Sequence, residues 1–280
     1  MIEQAGEWAE EPPLVDASRP SDARVYDLLL GGKDHFEADR ELGRQLLEVV
    51  PDLPLWAREN RRWLRRVVRW LAGEQQVGQF VDLGAGLPTE ENLHQVAQAV
   101  RPRAKVVYVD IDPSVIAHGR ALLVDNDYTA FVAADLTRPR QVLVDEAVVV
   151  GLDDSRPIAL IEALVLHHVP DLDDARKIQA EYLDHLPSGS YVAISHACNP
   201  RDGSPAAELA DAFEERLGPS FPDLRFRTPA EILTLFGDLE VLSPGLFRVS
   251  DWNPPGAPDP DAPEIDADGN FLYCAVARKR

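Results

Sequence analysis

The stretch Gln79-Phe80-Val81-Asp82-Leu83-Gly84-Ala85-Gly86-Leu87-Pro88-Thr89 limits the possible folds more than any other part of the chain. Phe80 to Leu83 is a short run, apolar except for Asp82, with the length of a buried strand. It stops at two glycines one residue apart, where the backbone turns sharply and a ligand can approach without meeting a Cβ. Thr89 has the chemistry of a helix cap, and helical spacing follows over residues 91–100. Strand, glycine turn and helix start, in that order, make a nucleotide-binding unit. A dinucleotide site asks for a third glycine, so that a pyrophosphate can rest on the helix N-terminus. Counted from Gly84, that glycine would stand at position 89, which is Thr89. Asp82 precedes the turn; a carboxylate there repels a pyrophosphate and suits a ligand with an ammonium and a sulfonium.

The chain around this unit alternates in the same manner. Strands are expected at 106–109, 129–133, 157–166 and 190–195, with helices at 113–124, 175–186, 206–217 and 229–236. Two late strands, 239–242 and 271–277, have no helix between them, only a Pro- and Asp-rich loop around 253–269. The pattern predicts a doubly wound α/β fold, with a mostly parallel sheet closed by an antiparallel pair.

Ahead of this region, residues 1–20 are rich in Glu and Pro and read as a flexible arm. A helix capped by Ser21 or Asp22 runs to Gly31-Gly32, and Lys33-Asp34-His35-Phe36 follows, either past a bare helix stop or in a loop folded over a ligand. Helical spacing resumes over 38–49, with Pro51 and Pro54 as breaks. Residues 56–71 form an amphipathic helix with Trp63, Leu64, Val67, Trp70 and Leu71 on one face. The other carries Arg58, Arg61, Arg62, Arg65, Arg66 and Arg69, read as pairing with the surplus carboxylates or facing water.

At 280 residues the chain can bury on the order of three-quarters of its unfolded surface. A formal charge of −20 opposes non-specific nucleic-acid binding, so no DNA partner is expected. The two cysteines, Cys198 and Cys274, make no disulfide framework and no metal-ligand spacing. The first residues lack the apolar core of a leader, and no run approaches the roughly 20 apolar residues of a membrane span. A soluble, cytoplasmic protein is the expectation, with no membrane partner.

Ligands of doubly wound sheets bind beyond the carboxyl ends of the strands. Asp82, Asp110, Asp135 and Glu162 fall at or near such ends. Asp110, 24 positions after Gly86, is placed to accept both hydroxyls of a ribose, with Asp112 as its competitor. Asp135 could accept from an exocyclic adenine amine. Glu162 interrupts an apolar strand, so it either has a partner near the strand's exposed end or contributes to the site. His167 and His168 follow the same strand, and His196 follows the fifth; each is a candidate general base. Neighbours in a strand point to opposite sides, so His167 and His168 are not expected to chelate one ion, and no metal is expected.

These residues resemble the class I S-adenosylmethionine-dependent methyltransferases. Val81-Asp82-Leu83-Gly84-Ala85-Gly86 resembles their first motif and Tyr108-Val109-Asp110-Ile111-Asp112-Pro113 their second. Ala134-Asp135-Leu136 resembles the third, and Leu166-His167-His168 the end of their fourth strand. The front segment Arg24-Val25-Tyr26-Asp27-Leu28-Leu29-Leu30-Gly31-Gly32-Lys33-Asp34 is similar to an actinobacterial S-adenosyl methyltransferase domain family of unknown acceptor, as are Pro244-Gly245-Leu246 and Ala277-Arg278-Lys279. The resemblance covers residues 20–280. One departure is that the glycine turn runs into Leu87-Pro88-Thr89, where many relatives have another small residue.

The resemblance implies a Rossmann-like sheet of seven strands, the seventh antiparallel between the fifth and sixth. It divides the chain into the arm 1–20, a helical segment 21–75 that lids the cofactor, and a methyltransferase domain 76–280. It places Asp82, Gly84, Ala85 and Gly86 at the methionine part of S-adenosylmethionine, with Ala163 beside it. It assigns Asp110 to the ribose and Asp135 to the adenine, with Ile111, Asp112 and Leu136 as further cofactor-binding candidates. Glu162, Tyr26, Gly32 and Lys33 are further candidate contacts. The function implied is methyl transfer to an unidentified, small-molecule acceptor. An NAD-dependent oxidoreductase and a non-catalytic S-adenosylmethionine-binding regulator are the alternatives.

Overall fold

In the computed structural model the described residues are 14–89, 91–149, 151–254 and 270–280. Most of the expected arm, and nearly all of the loop around 253–269, lie outside them. Five strands, β1 (Gln79–Leu83), β2 (Lys105–Asp110), β3 (Thr129–Ala133), β4 (Ala159–Ala163) and β5 (Tyr191–Ala197), run parallel in the order β3-β2-β1-β4-β5. Their runs of Val, Ile, Ala and Leu suit strands covered on both faces. The order reverses at β1, which pairs with β2 on one side and β4 on the other.

The last strand, β8 (Leu272–Arg278), pairs antiparallel with β5, from Tyr191↔Arg278 to Ala197↔Leu272. Its other edge takes two short strands, β6 (Glu240–Val241) and β7 (Phe247–Arg248). The expected sixth strand, 239–242, is β6 alone, and β7 is an additional one, so the sheet has eight strands among the described residues. Pro244, between β6 and β7, has no N–H to give to a ladder, and Gly245 turns the chain at φ +97°.

Before the sheet come α1 (Asp22–Leu30), α2 (Glu37–Val49) and α3 (Leu53–Gly73). Ser21 caps α1. Pro54 does not break the chain; it sits in the first turn of α3, where its missing N–H has no helical partner to lose. After β1, α4 (Leu93–Val100) begins later than expected. Asn92 precedes it, its N–H donating to Gln95 Oε1, so Thr89 caps nothing and belongs to the loop. The remaining helices are α5 (Pro113–Leu122), α6 (Pro139–Leu143), α7 (Glu146–Val149), α8 (Leu172–His185), α9 (Pro205–Leu217) and α10 (Pro229–Thr234). The short α6 and α7 lie between β3 and β4, where the sequence predicts no helix. β4 ends at Ala163 instead of continuing to 166; Leu164 takes φ +56° and Leu166–His168 form a 3-10 turn.

Strand alternation sorts the core into two layers. Phe80, Ile161 and Val276 face α3 and α9 and share one apolar cluster with Trp63, Val67 and Leu71 of α3. Val81, Leu160 and Ile194 face the other way, against Ala175, Tyr182 and Leu183 of α8. The helices α1 to α3 are thus built into a sheet face. Among the described residues, no helix is long and apolar enough to cross a membrane.

Candidate active site

The carboxyl ends of β1 to β4 open into one cavity of about 300 Å³, at the low end of ordinary ligand sites. Asp82, Gly84, Ala85, Gly86, Asp110, Ile111, Asp135, Leu136 and Ala163 all line it. Tyr26 and Asp22 of α1 line it from above the sheet edge, with Arg61 of α3 and His168 of the 3-10 turn. Gly84 and Gly86 have φ +73° and +67°, and a Cβ at Gly84 would come within 2.5 Å of the Val165 side chain. The turn therefore requires glycine at that position for backbone and space alike.

Two carboxylates carry the charge at the centre of the cavity. Asp110 accepts from the Gly86 N–H at 2.9 Å and the Asp112 N–H at 2.9 Å, which fixes it across the glycine turn. Burial raises its pKa above the ordinary carboxylate range, against these hydrogen bonds. Asp82 is 4% exposed, and burial pushes its carboxyl up to about 7; Arg61 draws it down and Asp110 adds to the rise. Asp135 sits farther along, its Oδ1 accepting from the N–H and hydroxyl of Thr137. Ile111 is a large apolar side chain left 61% exposed at the cavity wall, an apolar surface without a protein partner over much of its area. The Tyr26 hydroxyl donates to Ala57 O at 3.0 Å and accepts from Asn60 at 3.1 Å; burial raises its pKa.

Arg61, one of the arginines expected to pair with surplus carboxylates or face water, is instead a wall of the cavity. Its guanidinium donates to Thr89 Oγ1 at 2.6 Å and lies at the glycine turn. The expected pairing or exposure holds for Arg58, Arg62, Arg65 and Arg69: Arg62 meets Glu59, Arg65 meets Glu91, and the other two are exposed. Arg66 departs from it. It follows Trp63 by three residues, so it turns toward the buried face, where it donates to Val249 O and Trp252 O. Among six arginines on one helix no sequence signal marks Arg61; only the packing of α3 over the strand ends does.

Four expected contacts are not walls of this cavity. Alternation across β4 sends Ala163 to the cavity and Glu162 to the opposite layer, where it is fully buried and accepts from Gln179 Nε2 of α8. Burial pushes Glu162 up to about 7, and its partner is this amide. Asp112 caps α5, accepting from Ser114 N at 2.7 Å, and also accepts from the Ser21 hydroxyl. Gly32 and Lys33 belong to the end of α1: Gly31 is left-handed at φ +84°, and a Cβ on Gly32 would strike the Asp27 carboxylate at 1.9 Å. That carboxylate accepts from Asp34 N at 2.9 Å, so the double glycine serves as a helix stop.

The three histidines divide. His196 is buried and neutral: its Nδ1 donates to Ala197 O at 2.7 Å, and its Nε2 accepts from Arg227 at 2.9 Å. Burial, then Arg227, hold its pKa down to about 3, which removes it as a general base. His167 is buried outside the cavity, its pKa held well below the usual value by burial and by neighbouring His168, His196 and Arg227. His168 lines the cavity with Nε2 3.1 Å from Asp22 Oδ2. Burial opposes its charged form, but Asp22 outweighs that and raises its pKa. Because the two histidines lie on a 3-10 turn rather than a strand, they do not face opposite ways. Donor atoms of Asp22, His167 and His168 lie within 4.8 Å of one another. Arg227 donates to Leu166 O and Val169 O at the turn, and its charge helps hold the His167 pKa down.

A cavity at the switch point of a doubly wound sheet, with a glycine turn and acids at successive strand ends, defines a nucleoside-binding enzyme of the Rossmann-like class. The family model for S-adenosyl methyltransferases matches residues 8–280. A solved structure of a candidate methyltransferase from Thermobifida fusca is 40% identical, covering 97% of this chain and 99% of its own, with a TM-score of 0.86. A DUF574-family protein from Streptomyces avermitilis is 37% identical, covering 95% and 100%, with a TM-score of 0.88. No curated protein matches the chain. The chain belongs to the S-adenosyl methyltransferase family; it is a methyltransferase, and its cofactor is S-adenosylmethionine.

Proposed function

We propose that the protein methylates a small molecule and holds its cofactor along the cavity in one orientation. The adenine lies against Ile111 and Leu136 with Asp135 at its amine, the ribose hydroxyls are held by Asp110, and the ammonium is held by Asp82. Arg61 takes the carboxylate. The observation that carries this reading is the charge order along the cavity wall: a cation at the glycine turn, the buried Asp82 next to it, then Asp110 and Asp135. The residues fit this cofactor better than a dinucleotide. A pyrophosphate needs a helix N-terminus at the turn, but α4 starts only at Leu93, and the Gly86 N–H is already taken by Asp110.

When bound, the cofactor supplies an electrophilic methyl carbon on a sulfonium. The chain contributes alignment and exclusion of water. Leu30, Leu64 and Leu87 give the cavity apolar walls beside its carboxylates. Segment 21–75 acts as the lid: α1 and α3 close the cavity through Tyr26, Asp22 and Arg61. His168, held by Asp22, is the side chain placed to take a proton from an acceptor that must lose one.

Calorimetric titration with S-adenosylhomocysteine and, separately, NAD tests this. Saturable binding of S-adenosylhomocysteine alone is expected, weakened by about tenfold to a hundredfold in Asp110→Ala through the loss of charged hydrogen bonds. Binding of NAD instead, or an Asp110→Ala variant with wild-type affinity, would refute the reading.

A further inference from the structure

The cofactor cavity adjoins a second one of about 90 Å³, and Asp22, Tyr26 and Leu164 are walls of both. The second cavity is nearly all apolar. Its deep side is made by Phe213, Phe226 and Phe271, whose ring centroids lie 5.0–6.0 Å apart, so the rings support one another in a preformed wall. This space is about three-fifths of the roughly 150 Å³ of an apolar cavity that takes a benzene ring, so a ring seated here also occupies the boundary it shares with the larger site.

Beside the Tyr26 hydroxyl, already bonded to Ala57 O and Asn60, its polar side chains are Asp22 and His167, whose donor atoms lie within 4.8 Å of those of His168. His167 Nδ1 is buried and has no hydrogen-bond partner among the described residues. A buried polar atom left unpaired is costly, and such an atom beside a cavity marks where a ligand group belongs. The charges around this corner narrow the ligand's chemistry. Asp22 disfavours an anion there, and Arg227 and His168 disfavour a cation against His167.

We propose that the second cavity is the acceptor site, and that the acceptor is a compact aromatic molecule bearing a neutral hydroxyl. Its ring lies against Phe213, Phe226 and Phe271, and its hydroxyl lies at the Asp22–His167–His168 corner, facing the cofactor cavity. The inference rests on the cofactor assignment proposed above.

The test uses the full chain saturated with S-adenosylhomocysteine and titrated with 4-ethylphenol or phenethylamine, on wild type and on Ala197→Leu. Ala197 lines only the second cavity, so a leucine there fills it. The expected result is saturable binding of 4-ethylphenol, about tenfold or more weaker for phenethylamine and for the leucine variant, with S-adenosylhomocysteine affinity unchanged. If Ala197→Leu does not fold, Leu224→Phe fills the same cavity from another wall. Normal S-adenosylhomocysteine binding without 4-ethylphenol binding, or equal phenol binding by the filled variant, overturns the acceptor site alone. Tighter binding of phenethylamine overturns the hydroxyl assignment. Loss of S-adenosylhomocysteine binding in wild type overturns the cofactor assignment, and this inference with it.

Discussion

Replacing Glu162 by glutamine is expected to stabilise the protein, and to do so mainly above neutral pH. Glu162 is fully buried, and its one hydrogen-bond partner among the described residues is the Gln179 amide. Glu162 Oε1 and Gln179 Oε1 both lack partners there. A proton on the carboxyl would serve both oxygens, because an acid can donate to the amide oxygen while accepting from the amide nitrogen. Burial raises the folded-state pKa from 4.5 to about 7. The folded state therefore binds more protons than the unfolded state between these values, and stability falls as pH rises through that window. At about 1.4 kcal/mol per unit, the cost in wild type is about 3 kcal/mol at pH 8.5 and about 1 kcal/mol at pH 5. Glutamine keeps the shape and carries a permanent donor in place of the proton, so Glu162→Gln should recover most of that cost. Urea denaturation of both proteins at the two pH values measures it, and the difference between proteins removes the parallel contribution of Asp82. A variant less stable than wild type at pH 8.5, or a difference independent of pH, would refute the reasoning.

The other expectations concern the site. Gly84→Ala places a Cβ on Val165 at a left-handed position, so S-adenosylhomocysteine affinity should fall at least about tenfold; unchanged affinity in calorimetry would contradict the close-packed turn. If ionised Asp82 holds the ammonium, wild-type affinity should weaken as pH falls through about 7. Arg61→Met removes the charge that draws Asp82 down, so that midpoint should move to higher pH, read from titrations across pH. Arg227→Leu strips donors from Leu166 O, Val169 O and His196 Nε2, and a loss of about 2–4 kcal/mol in urea denaturation is expected; a loss under about 1 kcal/mol would deny its hold on the histidine turn.

Local order in the chain was enough for the doubly wound plan, because alternating apolar runs and glycine turns are short-range signals. Asp82, Gly84, Gly86, Asp110 and Asp135 could be picked out by position alone: in a parallel sheet every strand delivers its last residues to the same edge. The same period of two, applied to β4, separates Glu162 from Ala163, since neighbours on a strand cannot share a face. The double glycine after α1 could not be resolved locally, because a helix stop and a ligand loop demand the same backbone freedom. Only packing shows the Asp27 carboxylate filling the space at Gly32.

What the sequence determined by itself was the fold class, the family and the edge of the sheet where the chemistry lies. The tertiary structure decided which side chains meet there. It brought Arg61 of α3 to the glycine turn that follows it in the chain, buried His196 against Arg227, and set Asp22 beside His168 from opposite ends of the chain's first 170 residues. Such meetings depend on how helices pack over strands, and contacts between distant segments leave no periodicity in the sequence to read.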